Sequence, residues 1–331
     1  METRKVQVTG GSTFTVSIPK GWAKENDIEA GDRVEFFPDN DSLILIPKRE
    51  SEQTEGTIDI SGLEGDELIR AVMSMYVSGF DVIKLEADRI STSQRQLVSK
   101  ATQNLVGLEV LEETSEKVII QDLLDSTELS ITNAVTRMRL VALSMLEDSI
   151  VGLLEDDDEM AKSVIDRDDD VDRLWMVVSR IFRESLRGND TTVEIGIPRE
   201  DCFDYHSSAR QLERIADHAT KIAHLSLELD EIPDQVADGL NEFHGETEAI
   251  IEKSMDALFM EDRTRAKELA HEARESVMDT DRHARSMDEL LYELEPQQAQ
   301  LLGLIVDSLS RSSDYGGNIA ETALQKATPK P

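Results

Sequence analysis

Over the first fifty residues the apolar positions come in short β-branched or aromatic segments, VQVTGG, TFTVSIPK, RVEFFPDN and SLILIPK, separated by Gly, Pro, Asn and Asp. This pattern predicts four short strands. One helical stretch, WAKENDI, lies between the second and third and is closed by the turn EAGD. A β, β, α, β, β unit of this length buries little apolar surface alone, so residues 1–50 are expected to join a second copy in a homodimer. After the polar linker SEQTEG the pattern alternates. TIDI and DVIKLEA read as strands, LEGDELIRAVMSMYVSG and STSQRQLVSKATQNL as helices, and LEVLEE and KVIIQDL as two more strands. This predicts a small α/β domain over residues 56–125. It carries no phosphate loop and no evident chemistry, which suits a packing or ligand-sensing spacer.

Helical periodicity then takes over to the end of the chain, and it repeats. EDSIVGLLEDDDEMAK, from Glu147, aligns without gaps with EKSMDALFMEDRTRAK, from Glu252, at an offset of 105, and LERIADHATKIAH aligns with LSRSSDYGGNIAE at an offset of 97. The eight-residue difference falls in the polar, extended stretch GNDTTVEIGIPRED. Two tandem three-helix units follow, over 128–230 and 234–328, each needing the other to cover its apolar faces. The predicted fold is multidomain: a β domain, a small α/β domain and an all-α helical half.

Composition narrows the setting. The 331 residues carry 69 acidic against 35 basic side chains, a net charge of −34. Such an excess repels nucleic acid overall and resembles proteins of salt-loving archaea, whose surface carboxylates are screened by concentrated salt. The first fifty residues escape it, with seven basic against nine acidic side chains. The single cysteine, Cys202, rules out an internal disulfide framework and a cysteine zinc cluster. METRKVQV lacks the apolar core of a signal, and no run approaches the ~20 residues of a membrane span. The expectation is a cytoplasmic protein without membrane insertion.

STFTVSIPKGWAKENDIEAGDRVEFFPDNDSLILIPK resembles the AbrB/SpoVT swapped-hairpin family: Ile18, Pro19 and Lys20 match its V-x-I-P-K strand end, and Gly31 and Asp32 its x-x-G-D turn. The resemblance implies an intertwined homodimer that presents basic residues to DNA, here Arg4, Lys5 and Lys20. The family's Gly-Arg-x-x-x-Pro arginine is absent, Ser12, Thr13 and Phe14 standing in its place. Dimerisation alone and DNA binding both remain open, since phosphate contacts need clustered cations.

In the helical half, DRDDDVDRL and LERIADHATKIA resemble the second- and third-helix motifs of PhoU, the phosphate-uptake regulators. The resemblance implies a double three-helix bundle, multinuclear metal clusters held by Glu/Asp-x-x-x-Asp pairs, and negative control of phosphate import. The implied ligands are Asp168, Asp172, Glu213 and Asp217 in the first repeat and Asp314 in the second. The implied ions are iron, zinc, manganese or magnesium, which carboxylates separate poorly. The implied partners are a phosphate transporter ATPase or a phosphate-signalling protein, besides DNA and a second copy.

The residues alone leave that site undecided. His206, Glu213, Asp217 and His224 fall within a stripe of roughly 40° on one helix, opposite the apolar face of Leu212, Ile215, Ala216, Ala219, Ile222 and Ala223. Such a stripe is either a ligand face or the solvated side of an amphipathic helix. His218 points elsewhere and reads as a surface residue. The second repeat has drifted: Ser310 replaces Glu213, and Ala273 and Val277 stand at the positions of Asp168 and Asp172, with Glu275 and Asp279 keeping the four-residue spacing in a shifted register. An enzyme is disfavoured. The Glu-x-x-His pairs of di-iron bundles, a Walker loop and Gly-x-Ser-x-Gly are all missing, which leaves a carboxylate-bridged metalloenzyme or a metal store as the alternative to a regulator.

Overall fold

The computed structural model describes residues 3–39, 42–47, 53–123, 130–187, 197–229 and 232–329. Segment 188–196 of the expected extended loop, the first two residues of the SEQTEG linker, the basic pair Lys48 and Arg49, and residue 128 lie outside the described residues. The chain forms two units, Met1–Gln53 and Thr54–Pro331.

In the first unit β1 (Gln7–Thr9) pairs antiparallel with β2 (Thr13–Thr15), α1 spans Lys20–Glu25, and β3 (Val34–Asp39) pairs antiparallel with β4 (Ser42–Pro47). The EAGD turn holds because Gly31 takes φ of +110° and the Asp32 carboxylate accepts the Glu29 N–H at 2.7 Å. The two hairpins are separate sheets, α1 buries none of its residues, and Val8, Phe14 and Val16 are exposed, Phe14 by 75%. Among the described residues of this unit none is buried.

The second unit begins with a four-stranded sheet of order β5-β6-β8-β7, built from β5 (Glu55–Asp59), β6 (Val82–Glu86), β7 (Leu108–Glu113) and β8 (Lys117–Asp122). β5 and β6 run parallel, which requires the crossover helix α2 (Gly65–Val77); the other pairs are antiparallel. α3 (Thr92–Gln103) starts with a capping box between Ser91 and Gln94. Ile60, Leu68, Val72, Tyr76, Ile83, Leu85 and Ile120 are fully enclosed between this sheet and its helices.

Seven described helices follow: α4 (Ile131–Glu155), α5 (Asp158–Asp166), α6 (Asp168–Arg187), α7 (Arg199–Ser226), α8 (Asp234–Phe259), α9 (Arg263–Leu291) and α10 (Pro296–Lys326). The repeat is visible in its caps. Asp157 and Asp262, 105 residues apart, each accept two backbone N–H groups at the start of the second helix. That helix is continuous as α9 but broken into α5 and α6 in the first repeat, at Arg167, whose guanidinium reaches Asp148 and Ser144 on α4. One apolar core runs through both repeats, and α7 and α10 pack against each other across their boundary.

The sheet is bolted to α6. Arg180 Nη1 donates to the Tyr76 and Phe80 carbonyls at 2.9 and 3.0 Å, Nη2 reaches Asp81 and Asp122, and Nε reaches Glu184. Arg187 adds a bond to the Gly79 carbonyl. The α/β layer is thereby anchored to the helix that begins with Asp168.

Candidate functional site

The α7 apolar face lies where the periodicity put it: Leu212, Ile215, Ala216, Ala219, Ile222 and Ala223 are each at most 1% exposed. The opposite stripe, open from the sequence between a ligand face and a solvated side, is not simply wet. α6 packs along it, so Glu213 keeps only 8% of its surface, while Asp217 stays at the exposed edge. Asp168 and Asp172, one turn apart on α6, are partly buried across from them. Thr220 Oγ1 donates to Asp168 Oδ1 at 3.1 Å and ties the two helices at this level. Asp168, Asp169 and Asp170 also occupy the first turn of α6, where exposed N–H groups favour carboxylates.

Further into the cluster the charges oppose one another. Burial, then the Asp168, Asp217 and Asp169 carboxylates, push Asp172 up to about 6 despite Arg210. Burial and Asp217, with a smaller contribution from Asp172, push Glu213 up to about 7 against the pull of Arg210 and Arg214. Asp217 is raised by burial and by Asp168. The nearest counter-charge is Arg210, whose Nη1 lies 2.5 Å from Glu213 Oε1 while its guanidinium carbon sits 5.4 Å from the Trp175 ring centroid. Glu213 Oε2 is buried without a hydrogen-bond partner. The sequence reading missed Arg210, although its place one turn before Glu213 is the spacing that makes such pairs.

Donor chemistry and charge here suit a hard cation, since four carboxylates from two helices outnumber the guanidiniums of Arg210 and Arg214 that act on them and one buried oxygen is orphaned. Convergence is missing: among the described residues no group of three or more His, Cys, Asp or Glu side chains is placed to hold a metal ion. The structure gathers the four predicted residues into one electrostatic cluster and leaves them short of a closed coordination shell.

The remaining candidates separate. His206 packs between Trp175 and Phe182, and burial with Arg183 and Arg210 lowers it to about 4, which makes it a neutral spacer. His218, expected at the surface, is half-buried at the repeat boundary, 5.7 Å from the Tyr315 ring. His224 is exposed. In the second repeat Ala273 and Val277 are core residues, and Glu275 and Asp279 are exposed, Asp279 pairing with Arg282 on its own helix. The carboxylate acting on Asp314 is Asp281; Arg311 and Arg274 offset it. The shifted-register pair is therefore not brought to Asp314. Arg4, Lys5 and Lys20 are all exposed in the N-terminal unit, Lys20 as the first residue of α1.

A family model described as the PhoU domain matches residues 135–226, from α4 through the cluster to the end of α7. The helical half is PhoU-like over these residues. Its N-terminal segment, residues 7–53, matches the model of MazE, the bacterial antitoxin of antidote-toxin recognition, in keeping with an AbrB-like domain. Among solved structures, PhoU from Pseudomonas aeruginosa superposes with a TM-score of 0.52 at 19% identity, over 60% of this chain and 96% of that one. The phosphate transport system regulatory protein PhoU from Streptococcus pneumoniae gives 0.48 at 16% identity, over 59% and 91%. No curated protein matches the chain. The Pseudomonas likeness spans more than the PhoU domain match and establishes that the helical half has the PhoU double-bundle fold. Among the described residues no helix is long and apolar enough to cross a membrane.

Proposed function

We propose that this chain is a regulator of phosphate uptake, an adaptor in the cytoplasm whose PhoU domain binds metal and a partner protein. The match of a PhoU domain over residues 135–226 carries the reading, and the fold of the whole helical half supports it. In this reading Asp168, Asp172, Glu213 and Asp217 hold one or more divalent or ferric ions. Such an ion adds positive charge to a cluster in which carboxylates outnumber guanidiniums and cross-links α6 to α7. Asp314, with Asp281 beside it but two arginines close by, is the weaker second position. The partner is a phosphate transporter ATPase or a phosphate-signalling protein.

The N-terminal unit serves to join two copies. Its exposed Val8, Phe14 and Val16 and its lack of buried residues on α1 support that role, because apolar side chains left in water gain about 25 cal/mol per Å2 on burial. DNA is the proposed ligand of the resulting dimer, through Arg4, Lys5 and Lys20. Deleting the gene in its host and measuring phosphate uptake in phosphate-rich medium tests the main claim. Uptake should stay high where the intact strain restrains it, and uptake unchanged by the deletion overturns the proposal. Isolating the native complex with and without phosphate identifies the partner.

A further inference from the structure

The start of α9 differs from its counterpart in the first repeat by a reversed charge. At the offset of 105, Lys267 corresponds to Lys162 and Arg263 to Asp158. Lys162 lies 3.7 Å from Asp158, one turn before it, an ordinary i, i+4 ion pair. In the second repeat Arg263 replaces that acid, so Lys267 has a like charge at the same spacing. Both sit in the first two turns of a helix, where the dipole already disfavours cations. His271 continues the line one turn further. Among the described residues neither Arg263 nor Lys267 has an ion-pair partner, although the chain carries 69 acidic against 35 basic side chains. Two unpaired cations set against each other are a local cost that a bound anion relieves.

These side chains line a cavity of about 320 Å3, open to solvent and within the range that small-molecule sites take. A second wall comes from the chain that follows α10, Ala327 and Pro329. Hydrogen bonds fix that wall. Lys326 Nζ donates to the Leu258 carbonyl at 2.9 Å and reaches Tyr205 Oη at 3.0 Å, which pins the end of α10 beside the end of α8. The Ala327 N–H and Thr328 Oγ1 donate to the Ala323 and Leu324 carbonyls. Glu268, the carboxylate in the lining, is already engaged by Arg265 Nη1 at 2.9 Å. We propose that this cavity binds a small organic phosphate. Arg263, Lys267 and the Thr264 hydroxyl hold the dianion, His271 adds a ring nitrogen at its edge, and the apolar body of the ester lies on Ala327 and Pro329. A guanidinium and an ammonium one turn apart suit several phosphate oxygens at once, while an apolar wall offers nothing to the free ion. The site shares no residue with the carboxylate cluster between α6 and α7.

The test uses the full chain at fixed ionic strength, with phenyl phosphate, inorganic phosphate and phenol as probes. Calorimetric titration should show saturable binding of phenyl phosphate, weaker binding of inorganic phosphate and none of phenol. Arg263→Gln with Lys267→Gln should weaken phenyl phosphate about tenfold or more, the scale of losing one charge-assisted hydrogen bond. Arg282→Gln with Arg285→Gln removes the same charge from the other end of α9 and should leave the affinity within about twofold, because the charge lies beyond the screening length. Arg263→Asp recreates the acid–lysine pair of the first repeat. It should abolish binding while circular dichroism shows the helix content unchanged. Equal losses in the two double variants, binding retained by Arg263→Asp, or no saturable binding of phenyl phosphate overturn the site. Inorganic phosphate bound as tightly as phenyl phosphate overturns the organic ester and with it the role of Ala327 and Pro329, and phenol bound as tightly overturns the anion.

Discussion

Arg180 Nη2 stands 3.1 Å from an Asp122 carboxylate oxygen, and only 6% of either side chain reaches solvent. The same guanidinium satisfies Asp81, Glu184 and two carbonyls, at the end of α2 and in the turn before β6. Removing one partner from such a buried network leaves uncompensated charge, which costs more than the pair is worth intact. Arg180→Met is expected to destabilise the second unit by about 3–5 kcal/mol. Chemical denaturation of the variant should show either a large loss of midpoint or a separate early transition as the sheet leaves α6. A loss below about 1 kcal/mol, the range of exposed pairs, would mean that apolar packing alone holds the sheet.

The cluster between α6 and α7 makes the metal-free protein sensitive to alkali. Asp172 rises from 3.8 to about 6 and Glu213 from 4.5 to about 7, so between these limits the folded state binds more protons than the unfolded state. Stability from these groups is therefore full at low pH and is lost as pH rises through the folded values. Unfolding in urea at intervals from pH 5 to 8, at fixed salt and without divalent ions, should show this fall. Glu213→Gln should flatten it and raise stability at pH 8. A profile identical in parent and variant would show that Glu213 is ionised throughout.

Residues 1–53 are expected to hold the dimer. Deleting them should yield a monomer of residues 54–331 with its helix content intact, since that unit has both its cores to itself. Light scattering on the full and shortened chains checks this. A shortened chain that still dimerises would place the main contact on the helices.

DNA binding through the N-terminal unit should be weak and should fall steeply as salt rises, because few cations are available in a chain of −34. Replacing Arg4, Lys5 and Lys20 together by alanine should remove it. If fluorescence anisotropy finds equal affinity for both proteins, these side chains are not the contact.

What the amino-acid order settled by itself were features that depend on local period and local turn chemistry. The strand and helix order and the α7 apolar face follow from side chains a few positions apart, whose relation is set by the backbone repeat, and the repeated bundle follows from the internal alignment. The carboxylate pairs were also legible, since four-residue spacing fixes a shared face. Tertiary structure alone decided what covers that face. α6 lies on the stripe of α7, which buries Glu213 and makes a spacer of His206, and no periodicity within α7 reveals its neighbour. The effect of Asp281 on Asp314 depends on how α9 docks on α10, and the partners of Arg180 include residues about a hundred positions away. Contacts between elements are set by how the elements dock, and docking is a property of whole surfaces that no window of sequence contains.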